Sequence, residues 1–234
     1  MTRPMYVMSA TVEPGNRIRK FLDPGDASVS WLLLRPPTFR HAGFDLEAPY
    51  AEPKLLGGDC WELRGGERKI LRLYQDGTFL ARVPADEEFL GWAYGDLFAK
   101  GLPILNPVPV VEVNAAFVHF YAALLDRFVK PPQRVWFNLR LAGADIDGRR
   151  LQLSEYYVHG IQHVSVPRPH KAYAAQISDT LEVDAERVRQ APNEVAYELV
   201  SRFYSMFEMG EDLIPFVSRD GEKPSIDLDA IRRL

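Results

Sequence analysis

Residues 67–83 read ERKILRLYQDGTFLARV, and this stretch does more than any other to decide the fold. Two runs rich in Ile, Leu, Tyr, Phe and Val flank Asp76 and Gly77, a pair suited to a turn that needs positive φ, so the segment predicts a β-hairpin. With a two-residue turn, Tyr74 opposes Phe79, Ile70 opposes Val83 and Leu73 opposes Leu80. Both faces are then apolar, with Arg72 on one and Arg82 on the other. One face meets the core. The other, carrying Ile70, Arg72, Tyr74 and Phe79, is expected to meet another segment or a partner chain.

On the N-terminal side, Asp59 to Leu63 reads as a short strand that leads through Gly65 and Gly66 into the hairpin, and VSWLLLRPP from Val29 reads as a buried strand ended by Pro36 and Pro37. Residues 1–27 carry Pro4, Pro14, Gly15, Pro24 and Gly25 and read as an irregular lead-in. Residues 28–104 thus form a β-rich subregion. The breakers of 84–109 mark the junction to a second subregion, residues 105–217. There Val110, Val113, Phe117, Phe120, Leu124 and Phe128 recur at helical spacing before Pro131 and Pro132. Gln133 to Leu141 alternates, with Val135, Phe137, Leu139 and Leu141 on one side, as a half-buried strand requires. Asp147 and Gly148 offer a turn, 176–184 a further strand, and Pro192 starts a helix carrying Val195, Leu199, Phe203 and Phe207. Residues 218–234 form a tail. An antiparallel, β-rich N-terminal part followed by helix, strands and helix makes the fold class α+β.

Among the chain's 234 residues, 28 lysines and arginines stand against 32 aspartates and glutamates, a net charge of -4 that disfavours non-specific attraction to nucleic acid or an anionic membrane. With 47% hydrophobic residues the chain has material for a packed core. The N-terminus lacks the pattern of a secretory leader, and no run approaches the roughly 20 apolar residues of a membrane span. The single cysteine, Cys60, fits a reducing compartment. A cytoplasmic protein without membrane contact is the expectation.

Several motifs bear on chemistry. Asp59, Glu67 and Lys69 form a D…ExK arrangement, which in metal-dependent nucleases places two carboxylates on Mg²⁺ and a lysine beside the phosphate. Here Gly65 and Gly66 precede Glu67 where an apolar strand is usual, and a charged strand entrance is the simpler reading. His159 and His163 share a helical spacing with His170 nearby, but an intervening glycine and two prolines argue against a helix and a metal site. Cys60 has no sequence neighbour that identifies a base, and nucleotide-cradling and nucleophile-elbow motifs are absent. Trp136 with Arg134, Arg140, Arg149 and Arg150 combines an aromatic ring with cations, the pairing that stacks bases and neutralises phosphates. A strand edge defended by charge is the plainer alternative. No cofactor is expected, and Mg²⁺ belongs only to the nuclease alternative.

The segments WLLLRPPTFRHAGFDLE, WELRGGERKILRLYQDGTFLARVPADEEFLGW and LNPVPVVEVNAAFVHFY, in that order, resemble the region that follows the AlbA-like, Schlafen-type DNA-binding domain in a group of bacterial proteins. The resemblance covers most of residues 28–215. It implies an accessory region of a nucleic-acid-associated protein, and because this chain begins too close to WLLLRPP to include the DNA-binding domain, no functional residue carries over. The expected function is therefore a non-catalytic accessory or protein-interaction domain, with self-association or a protein partner. A metal-dependent nuclease and a nucleic-acid-binding module stand as alternatives.

Overall fold

The computed structural model describes residues 3–23, 29–41, 43–48, 50–155 and 169–234. The hairpin forms from β-strands Lys69–Tyr74 and Phe79–Pro84, closed by a loop one residue longer than expected. The Gly77 amide donates to the Tyr74 carbonyl at 3.0 Å, and Tyr74 N–H donates to the Thr78 carbonyl at 2.8 Å. Gly77 itself has φ +91°. A three-residue turn ending in a left-handed glycine shifts the register by one. Leu73 therefore pairs with Phe79 and Leu71 with Ala81. This corrects the expected pairing of Tyr74 with Phe79. Leu71, Leu73, Phe79, Ala81 and Val83 now share one wholly buried face, and Ile70, Arg72, Tyr74, Leu80 and Arg82 share the other. Phe79 belongs to the core and not to a docking surface: its ring stacks on Phe120 at 4.0 Å and on Phe117 at 5.1 Å.

In chain order the other elements begin with β1 (Met5–Val12), α1 (Val29–Leu34), β2 (Lys54–Leu56) and β3 (Cys60–Gly65), after which the hairpin strands are β4 and β5. Next come α2 (Gly95–Ala99), β6 (Ile104–Leu105), α3 (Pro107–Leu125), β7 (Arg134–Ala142), β8 (Asp145–Ile146), β9 (Arg149–Arg150), β10 (Gln152–Ser154) and β11 (Pro169–Lys171). The chain continues with β12 (Gln176–Asp184), α4 (Ala185–Gln190), α5 (Pro192–Ser205), β13 (Val217–Ser218), β14 (Ser225–Ile226) and α6 (Leu228–Arg232). Seven strands form one antiparallel sheet in the order β12-β7-β1-β5-β4-β3-β2, and the mixed α+β class holds.

Two readings of the N-terminal region change. The lead-in contains β1, a central strand of the sheet, because Tyr6, Met8 and Ala10 alternate as fully buried residues with the more exposed Val7, Ser9 and Thr11. Flanking prolines and glycines concealed that alternation. Since β1 lies between β5 and β7, the two subregions share one sheet instead of meeting at a junction. The VSWLLL run is a helix and not a strand: Val29 and Leu33, four apart, are its buried residues. A six-residue apolar run carries no period that distinguishes the two.

Helix α3 starts at a side-chain cap, Asn106 Oδ1 accepting from Val108 N–H at 3.1 Å, with Pro107 in the first turn. By length and composition it could cross a membrane, which corrects the expectation that no segment qualifies, yet it is mostly buried inside the protein as a core helix. Glu112 on this helix is 2% exposed and accepts from Arg40 Nε at 2.6 Å, Arg40 Nη2 at 2.8 Å and Phe44 N–H at 3.1 Å. One carboxylate thus ties the irregular segment around residues 40–44 to the core helix.

Two substitutions test this account. Gly77→Ala places a Cβ onto the Phe128 ring at a positive φ, and urea unfolding should show a loss of more than about 1 kcal/mol. Glu112→Ala strands the Arg40 guanidinium and should cost about 3 kcal/mol, with faster amide exchange at Phe44.

Candidate functional site

Alternation places Tyr6, Met8, Phe79, Phe137 and Leu139 on the face that packs against the helices. The opposite face contributes nothing to that core: Met5, Val7, Ile70, Leu80 and Trp136 all lie outside the core cluster. Among the described residues most of this second face is half-buried or exposed, with Met5, Ile70, Cys60 and Glu62 buried on it. Strand pairing then decides which side chains meet on it. Val7 is paired with Arg82 on one side and with Arg140 on the other, and Arg82 is paired in turn with Ile70, which pairs with Arg64. With strands about 4.8 Å apart, this gives a stripe of arginines spaced roughly 10 Å apart with an aliphatic residue between each pair. The next stripe holds Glu62, Arg72, Leu80, Ser9 and Asn138, and beyond it lie Tyr74, Thr11 and Trp136.

Charge on this face runs against that of the whole chain. Lys54, Arg64, Arg72, Arg82, Arg134 and Arg140 face outward against Glu62, Glu182 and Asp184. Glu62 is 6% exposed and lies between Arg64 Nε at 2.5 Å and Arg72 Nε at 2.8 Å. The hydrogen bond from Arg64, joined by that from Arg72, holds its carboxyl below the usual carboxylate range. Two guanidinium groups on one carboxylate leave a net positive charge fixed in place. Arg134 lies 3.3 Å from Asp184 and 3.5 Å from Glu182, so the edge strand compensates it in part.

Two surfaces that the sequence offered separately therefore become one. Ile70, Arg72 and Tyr74 from the hairpin lie on the same face as Arg134, Trp136 and Arg140 from β7. Arg149 and Arg150 do not join them: on the β8–β9 hairpin, Arg149 donates to the carbonyls of Lys100 at 3.0 Å and Gly101 at 2.6 Å, and Arg150 lies 3.7 Å from Asp145. Val7 and Arg64 were missed because the parity of their strands is set by pairing with distant segments.

The nuclease constellation does not assemble. Asp59 precedes β3 and Glu67 follows it, while Lys69 pairs with Gly65 at the far end, so about 20 Å of strand separates Asp59 from the other two. Lys69 lies on the inner side, donating to the carbonyls of Asp45 at 2.8 Å and Glu47 at 2.5 Å. Burial pushes its pKa down to about 8. Among the described residues no group of three His, Cys, Asp or Glu side chains could hold a metal ion. His170 pairs with Glu155 at 2.8 Å, and His159 and His163 lie outside the described residues. Burial also pushes the Cys60 thiol up, away from thiolate chemistry.

Lys69 gives a pH signature. Its ammonium form is less favoured in the folded chain, so between about pH 8 and the unfolded value of 10.5 the unfolded state binds more protons and stability rises with pH. Urea midpoints of wild type relative to Lys69→Met should rise across that window; a flat difference contradicts the burial of this amine.

No protein-family model matches the chain, and no curated protein or solved structure matches it either. The likeness to the Schlafen-associated region rests on the quoted segments alone.

Proposed function

We propose that this chain is a non-catalytic interaction module that holds a single-stranded nucleic acid on the open face of its seven-stranded sheet. The observation that carries this reading is the row of Arg64, Arg82 and Arg140 on a face the core does not use, which also bears Arg72 beside Tyr74 and Arg134 beside Trp136. Arginines neutralise phosphates, aromatic rings stack bases, and a sheet face offers both in one plane, which suits splayed bases better than a closed duplex. Local charge outweighs the chain's net -4 here, because screening limits electrostatic reach to about 10 Å. A cytoplasmic, bacterial, accessory role beside a nucleic-acid-associated regulatory or defence protein is part of the same proposal, and the Schlafen-associated resemblance supports it.

A protein contact is the second reading. It is favoured by the edge strand β2, where Leu55 and Leu56 are 42% and 39% exposed, an uncommon exposure for paired leucines on an unpaired edge.

Fluorescence anisotropy with short labelled single-stranded DNA and RNA at low salt tests the first reading. Binding should weaken steeply as salt rises, and Trp136→Ala should weaken it about 10-fold or more. Absence of binding at low salt overturns it. Concentration-dependent association abolished by Leu55→Glu, without oligonucleotide binding, establishes the second reading in its place.

A further inference from the structure

Strand β12 forms one edge of the large sheet and pairs with β7 through all nine of its residues, Gln176 to Asp184. Just beyond its ends, the Ala175 carbonyl accepts from Ala144 N–H at 2.9 Å and Ala185 N–H donates to the Gln133 carbonyl at 2.8 Å, so odd-numbered residues direct their backbone groups toward β7. By the alternation of an antiparallel ladder, Ser178, Thr180 and Glu182 direct theirs outward, where no described strand receives them. The Thr180 amide agrees, since it donates to the carboxylate of its neighbour Asp179 at 2.6 Å. Sheet edges are commonly blunted by proline, lysine, a bulge or a very short strand, and β12 has none of these. Its inward-facing Asp179 is neutralised by Arg202 at 2.9 Å. The opposite edge, β2, has only three residues and follows Pro53.

The free edge of β12 is complementary to itself. An antiparallel twofold at Thr180 matches Gln176 with Asp184, Ile177 with Val183, Ser178 with Glu182 and Asp179 with Leu181, so no like charges face each other. Ser178 lies beside Arg140 on β7, which places the partner's Glu182 two strand spacings, about 10 Å, from Arg140 and within reach of both long side chains. Arg140 donates to Gln176 Oε1 at 3.2 Å and has no carboxylate of its own among the described residues. On the helix side, the partner's Leu181 arrives beside Asp179 at an open cavity of about 330 Å³ bordered by Leu181, Ser201 and Ser205. We infer that the chain forms a twofold dimer in which two copies of β12 pair and two seven-stranded sheets become one. The partner's Thr180 carbonyl then takes the Thr180 amide from Asp179. Backbone bonds and the filled cavity hold the dimer, and the exposed ion pairs chiefly select its register. The assembly is independent of what the open face holds, and it leaves β2 free.

Sedimentation equilibrium of the full chain over a wide concentration range should show a reversible monomer–dimer equilibrium. Arg140→Glu sets a carboxylate against the partner's Glu182, and Glu182→Arg sets a guanidinium against the partner's Arg140. Each should weaken the dimer about 10-fold, and the double variant should recover most of the loss. Within one chain the two positions lie about 13 Å apart along the edge, so that recovery reports the pairing between copies. Hydrogen exchange adds a residue-level readout: raising the protein concentration should slow the amides of Ser178, Thr180 and Glu182 and leave those of Ile177 and Leu181 unchanged. A monomer at every concentration overturns the dimer. So does a double variant as weak as the single ones, or association that Leu55→Glu abolishes and the charge reversals leave intact.

Discussion

The insertion of β1 between β5 and β7 is the contact on which the rest of this structure depends. It supplies two ladders at once, with Tyr6, Met8 and Ala10 facing the helices and Val7, Ser9 and Thr11 facing away. Without it the hairpin meander and the β7–β12 pair are two sheets, each with an unpaired edge where β1 now lies. With it, residues more than a hundred positions apart in the chain become neighbours, as Tyr6 Oη donating to Asn114 Oδ1 at 2.7 Å illustrates. The open face is a consequence of the same pairing, because a strand that fixes the parity of its neighbours on the core side fixes it on the other side too.

Buried polar groups hold the irregular segments to this frame. Glu112 receives three donors from the 40–44 segment, Lys69 caps the carbonyls of Asp45 and Glu47, and Trp61 Nε1 donates to the Phe21 carbonyl at 2.9 Å. Each is a group that would be expensive to bury unpaired, and each finds its partner in a stretch without regular secondary structure. Polar chemistry that looked catalytic in sequence is thus structural in the fold, most plainly at Lys69.

The character of the open face follows from where charge was left over. In the stripe across Arg64, Arg82 and Arg140 only the first is matched by a carboxylate among the described residues, and Glu62, which matches it, is shared with Arg72. An acidic chain can therefore present a basic surface when its carboxylates cluster elsewhere and dielectric screening keeps the two apart.

Local pattern determined the hairpin, the core helix that carries Val110 to Leu124, the alternation of β7, the strand 176–184 and the helix from Pro192, since periodicity acts between residues close in sequence. Tertiary structure decided the rest. A loop of three residues in place of two moved Phe79 into the core, pairing made Met5–Val12 a central strand, and packing of Val29 and Leu33 made VSWLLL helical. The candidate site was legible only in halves, Ile70, Arg72 and Tyr74 in one place and Arg134, Trp136 and Arg140 in another. Their union on one face, and the scattering of Asp59 from Glu67 and Lys69, depend on which strand lies beside which, a choice made by long-range burial of apolar surface that no local pattern contains.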